Sequence, residues 1–204
     1  MTLIGYAGAP WTIATYMVEG RGGGATEHSV VKQWALSDPD GFQPLIDLLT
    51  TAIIQFVSRQ VEAGAEAVQL FDTWAGILPD ALFERWCVKP VAAIIAALKA
   101  QHPGVPVIAF PRGAGLSYDG FAEATGADCV GLDATVPLHW AARTLQRGLG
   151  RCVQGNLDPQ LLVVGGPALH AEAERILRAL SLLFKPCFLG CPELLVLFRC
   201  GVVT

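Results

Sequence analysis

A chain of 204 residues has room for one domain. Its 14 Lys and Arg against 18 Asp and Glu leave a formal charge of −4, which argues against a nucleic-acid binder, since phosphate contacts need clustered cations. Apolar residues make up 52% and the mean hydropathy is +0.45, yet no uninterrupted apolar run approaches the roughly 18 residues of a membrane span, and the opening residues do not form a basic, apolar, small-residue leader, so neither a membrane nor a secreted location is expected.

The first predicted element is a strand over 3–7. It breaks at small residues before Pro10 and Trp11 open a helix that carries Tyr16 about a turn and a half in. The run from Gly20 through Arg21, Gly22, Gly23 and Gly24 to Ala25 fits GxGxxA. It follows a helix where a dinucleotide loop follows a strand, so a flexible surface loop is expected. Residues 44–61 repeat apolar side chains at Ile46, Leu49, Ile53, Phe56 and Val57 and predict a helix. Strands are expected over 67–71, 107–110, 129–132 and 152–154, each without polar alternation, as when helices cover a parallel sheet. Between and after them, 91–98, 138–145 and 171–180 show helical periodicity. The six cysteines lack CxxC spacing; Cys129 and Cys152 lie inside strand runs and read as buried, inert thiols of a reducing, cytoplasmic compartment.

The chain also echoes itself. Residues 62–68 with Asp72 match 123–130 with Asp133: in each, a glycine ends a helix, an acidic residue follows, and a strand runs to an Asp. Repeated βα units with functional-looking residues after each strand predict a (β/α)8 TIM barrel rather than an open sheet. Five strands are too few to close one, so an incomplete barrel is expected.

In such a barrel, chemistry lies at the C-terminal strand ends. Those ends bring forward Tyr6, Gly8 and Tyr16, then Phe71 to Trp74, then Arg112, Asp133, and the Gln154 to Pro159 turn. Arg112 could grip a carboxylate or be a solvated loop cation. Asp133 could cap a loop or act in the site. Asp158 before Pro159 could be a helix cap or a catalytic acid. Tyr16 could be core or site, and its hydroxyl would need a partner if buried. His28, His102, His139 and His170 have no metal-ligand spacing and none sits at a strand end, so neither a metal nor another cofactor is expected.

The segments GYAGAPWT…TYMVEG, EAGAEAVQLFDTWAG, VPVIAFPRGAG, TGADCVGLD and VQGNLDP, in this order and spacing, resemble the uroporphyrinogen decarboxylase family. The resemblance runs from Leu3 to about Leu180 and implies a domain over 1–180 with a divergent tail over 181–204. It implies cofactor-free, metal-free conversion of the four acetate side chains of uroporphyrinogen III to methyls in tetrapyrrole biosynthesis, by a cytoplasmic homodimer. By motif, the catalytic Tyr carries over to Tyr16 and the hydroxyl position to Thr73, where the family usually has Ser. Tyr6, Gly8, Phe71, Arg112 and Asp133 are then expected to bind substrate, with Tyr6 where Phe is usual. The chain aligns with about the third to seventh strands of the family's barrel. The family's N-terminal part, with its Arg-rich segment and pyrrole-binding Asp, is expected to be absent from this chain, and residues 181–204 replace the family's NLGHG-type strand and its His with a tail that reads as an altered or frameshifted terminus. This chain alone is therefore expected to be inactive. Two alternatives remain: a corrinoid-dependent methyltransferase of the same superfamily, which would need a zinc site, and a non-catalytic remnant that binds substrate or an intact subunit.

Overall fold

The computed structural model describes residues 2–20 and 28–181. The expected glycine-rich loop and the tail with Cys187, Cys191 and Cys200 lie outside these residues.

Five strands, β1 (Ile4–Gly8), β2 (Ala67–Asp72), β3 (Val107–Pro111), β4 (Cys129–Gly131) and β5 (Cys152–Gln154), form one sheet in sequential order. Every neighbouring pair is parallel. This is the α/β arrangement of a partly built barrel, as expected from short βα units. The echo is realised too: Gly64 and Gly126 both take positive φ, at 109° and 72°.

Helices cover one face of the sheet. After β1 come α1 (Pro10–Glu19), α2 (Ser29–Ser37) and α3 (Pro39–Glu62); β2 is followed by α4 (Asp80–Phe83) and α5 (Lys89–Gln101), joined through a π-helical turn over Glu84–Val88. Beyond β3 lies α6 (Phe121–Thr125), beyond β4 lies α7 (Leu138–Ala141), which runs into a second π-helical stretch, and beyond β5 lie α8 (Pro159–Val164) and α9 (Gly166–Ser181). The main core joins Ala7, Val68, Leu70, Val107, Ala109, Val130 and Val153 of the strands to Trp11, Phe42, Trp86, Ile94 and Ile95 of the helical layer.

The sequence places α3 too late and misjudges one of its faces. The helix begins at Pro39, where Asp38 accepts a hydrogen bond from the Gly41 amide at 2.9 Å, and carries Pro44 inside it. Ile46, Ile53 and Val57 are buried, but Leu49 is only half-buried and Phe56 is 58% exposed. Adjacent apolar positions 56 and 57 cannot both face the sheet at 3.6 residues per turn. By length and composition alone α3 could also cross a membrane. Here its buried stripe packs on β1, α1, α2 and α5, as in a core helix.

The other face of the sheet carries Tyr6, Gln69, Phe71, Ile108, Phe110, Cys129, Cys152 and Gln154, since residues two apart share a face and register partners share a row. Ile108, Cys129 and Cys152 form a small separate cluster there. Gln69 Nε2 donates to Gln154 Oε1 at 2.6 Å, across the three strand spacings that separate β2 from β5. Two glutamines can meet over that distance only because the sheet curls, so this face is concave, like the inside of a barrel wall.

Candidate active site

The C-terminal ends of β1 and β2, with α1, gather most of the expected residues. Gly8 and Phe71 are register partners, and the Tyr6 ring meets Phe71 edge-on at 6.4 Å, with Phe110 continuing the row at 6.1 Å. Gly8 is half-buried against Ile13, where a side-chain carbon would collide. Tyr6 is 66% exposed and Tyr16 is 42% exposed, so both present their rings to solvent rather than to the core.

Thr73 and Trp74 form the turn that follows β2. Tyr16 reaches this turn from α1, its ring edge-on to Trp74 at 6.2 Å. The turn is fastened from below by α1. Thr12 Oγ1 accepts from the Trp74 amide at 3.2 Å, and the Trp11 indole donates to the Trp74 carbonyl at 3.0 Å. Thr12 Oγ1 in turn donates to Asp72 Oδ1 at 2.6 Å. Asp72 points to the helical side of the sheet and is 2% exposed. Burial pushes its carboxyl up to about 6, and hydrogen bonds with the Cys87 thiol and Thr12 limit the rise.

Arg112 and Asp133 form a second group, at the ends of β3 and β4. Arg112 is exposed. Its backbone is tied to the first group: its amide donates to the Asp72 carbonyl at 3.1 Å and its carbonyl accepts from Gly76 at 3.0 Å. A side-chain carbon on Gly76 would lie 2.3 Å from the Gly113 carbonyl oxygen, so only glycine lets the two loops approach so closely. The Asp133 carboxylate accepts from the Gly113 amide at 2.8 Å, from the Tyr118 hydroxyl at 3.1 Å, and from the Thr135 amide and hydroxyl. Burial raises its carboxyl, but these bonds outweigh burial and hold it below the usual carboxylate value. The same partnership, with burial, pushes the Tyr118 hydroxyl upward.

The expected site residues therefore fall into two linked clusters, Tyr6, Gly8, Tyr16, Phe71 and Thr73 in one, Arg112 and Asp133 in the other. Neither cluster lines the groove of about 690 Å³ that runs between the loop after β4 and α9 past Thr135, His139, Asn156 and Arg175. Asp158 acts as a helix cap, accepting from the Gln160 amide at 2.9 Å at the start of α8.

Sequence reasoning brought Trp74 forward only as a strand-end residue and missed Trp11 and Thr12 as organisers of the site, although Thr12 stands four residues before Tyr16 and so shares its helical face. It also placed every histidine away from the strand ends. His28, remote in sequence from β2, packs its ring at a tilt against Trp74, with ring centroids 4.2 Å apart. Among the described residues, no three His, Cys, Asp or Glu side chains converge as metal ligands would.

Comparison with known proteins places the chain in a family. The family model described as Uroporphyrinogen decarboxylase (URO-D) matches residues 1–183. The chain is 54% identical over 180 residues to the uroporphyrinogen decarboxylase of Rhodospirillum rubrum, covering 88% of this chain and 50% of that protein. Against its namesake from Paracoccus denitrificans the identity is 56% over 180 residues, covering 88% and 52%, and against that of Jannaschia sp. it is 51%, covering 88% and 51%. The chain thus spans about half the length of the curated relatives it matches.

Proposed function

Because the chain belongs to the uroporphyrinogen decarboxylase family, we propose that it supplies one wall of a cleft in which the acetate side chains of a porphyrinogen lose carbon dioxide. The observation that carries this reading is the meeting of Tyr16 with the Thr73–Trp74 turn at the concave end of β1 and β2.

Loss of carbon dioxide from a pyrrole acetate needs an electron sink. Protonation of the pyrrole ring supplies one: the carboxylate C–C bond breaks, its electron pair neutralises the ring cation, and an exocyclic methylene forms. A proton then adds to that methylene, giving the methyl, while the ring returns its extra proton. The protein must stabilise a transient cation and deliver protons at fixed points. In this reading a tetrapyrrole lies on Tyr6 and Phe71, and the exposed Tyr16 and half-buried Thr73 offer their hydroxyls to an acetate. Arg112 supplies an exposed cation for a substrate carboxylate. Asp133, with four donors within the protein, sets the loop that carries Arg112.

The test uses uroporphyrinogen III with the chain alone, and with the chain co-expressed with the part of the Rhodospirillum rubrum protein outside the matched stretch. Coproporphyrinogen should form only in the combined preparation. There, Tyr16→Phe should lower kcat by about tenfold or more with little change in KM, because the hydroxyl acts mainly in the transition state. Turnover by the chain alone would overturn the division of labour proposed here, and an unchanged rate in Tyr16→Phe would remove Tyr16 from the mechanism.

A further inference from the structure

We infer that Thr12 is a positioning residue for this chemistry: with Asp72 as its anchor, it fixes the Thr73–Trp74 turn against Tyr16. The inference rests on the functional reading above.

The direction of the hydrogen bonds follows from donor counting. A threonine hydroxyl has one proton and two lone pairs. Thr12 gives its proton to Asp72 Oδ1 at 2.6 Å, which leaves its lone pairs to accept the Trp74 amide at 3.2 Å. The next peptide group is held as well, by the Trp11 indole on the Trp74 carbonyl at 3.0 Å. Both peptide planes flanking Trp74 are thus set by two consecutive residues of α1. One helical turn further along the same face, Tyr16 meets the Trp74 ring. The two hydroxyls assigned to the reaction, on Tyr16 and Thr73, are therefore both referenced to one helix. Thr12 is buried, at 2% exposed, so it acts through the turn and not on substrate. A turn that swings freely would lose the fixed geometry on which proton delivery depends, since small misplacements of reacting groups are expensive.

The experiment compares the full wild-type chain with Thr12→Val, Thr12→Ser and Ile53→Val. Valine keeps the shape of threonine and removes the hydroxyl, serine keeps the hydroxyl, and Ile53 is a buried residue of α3 outside the hydrogen-bond chain. Amide hydrogen exchange at Trp74 is read by NMR, and the affinity for uroporphyrin III by porphyrin fluorescence. In Thr12→Val, Trp74 protection should fall about tenfold and uroporphyrin III should bind about tenfold more weakly, with both restored by Thr12→Ser and unmoved by Ile53→Val. Unchanged Trp74 exchange in Thr12→Val overturns the inference. Lost protection with unchanged affinity also overturns it, because Thr12 would then be structural only. A wild-type chain that does not bind uroporphyrin III even when combined with the part of the Rhodospirillum rubrum protein outside the matched stretch overturns the functional reading instead, and the exchange measurement alone then decides whether the turn is held by Thr12.

Discussion

Asp72 and Asp133 are related positions in the two echoing βα units, yet the protein treats them oppositely. Asp72 is buried on the helical side with its carboxyl raised to about 6, so its ionised form is less favourable in the folded chain than in the unfolded one. The stability tied to Asp72 is complete below the ordinary value of 3.8 and is lost as pH rises through about 6. At neutral pH the loss amounts to about 3 kcal/mol, from the shift and roughly 1.4 kcal/mol per unit. Asp72→Asn should remove it. Urea unfolding of the two proteins at pH 4.5 and 7.0 should show the variant gaining about 2 kcal/mol relative to wild type on going to the higher pH; parallel curves would deny the raised carboxyl. Asp133, lowered by its four donors, contributes stability that is present above the ordinary carboxylate range and disappears on acidification through its folded value. The side chains that take part in these bonds were legible in the sequence only by position: a strand end says that an Asp is there, and cannot say which side of the sheet it faces.

Among the elements, the strands were legible almost to the residue because each is a mostly apolar run without polar alternation, as a parallel sheet covered by helices demands. Helix starts were harder to read. Asp38 and Pro39 carry the cap-and-proline signature of a helix start, but the periodic signal only becomes regular near residue 44, so the first turn of α3 was missed. Asp38→Ala should cost about 1 kcal/mol in chemical denaturation, as for other lost caps, without changing sheet content by circular dichroism. The π-helical turn over Glu84–Val88 was also invisible to the sequence, since one extra residue in a turn leaves the average hydrophobic period almost intact. It matters for the site, because it brings the Cys87 thiol against Asp72, where burial and the neighbouring carboxylate push the thiol upward. The clamp of α1 on the turn after β2 joins residues about 60 positions apart in sequence, and no local pattern announces such a pairing.

At the scale of the whole molecule, the sheet has two ends, β1 and β5, and its concave face leaves Tyr6 exposed. Leu3, Leu48 and Phe56, on β1's approach and on α3, are also more than half exposed. Edges and apolar faces of this kind favour association. The purified chain should therefore sediment at low micromolar concentration as species larger than a monomer, and a single monomeric boundary with a sharp cooperative melt would show that these five units suffice alone. One edge is partly sealed from within. By the alternation of the ladder, the Tyr6 amide and carbonyl point away from β2, and the Gln60 side chain of α3 takes both, Oε1 accepting from the Tyr6 amide at 2.8 Å and Nε2 donating to its carbonyl at 3.0 Å. The amide fits because Gly5 is bare: a side-chain carbon there would stand 2.8 Å from Gln60 Oε1. Gln60→Ala should accordingly shift the sedimentation profile further toward large species, whereas an unmoved profile would locate the adhesive edge at β5.

Gln60 is in effect a peptide group on loan to the sheet. Any strand that comes to lie beside β1 at Tyr6 must first evict it, trading amide for amide, so the hydrogen bonds of that step roughly cancel. What remains to discriminate a right neighbour from a wrong one is the fit of side chains over Leu3 and Tyr6.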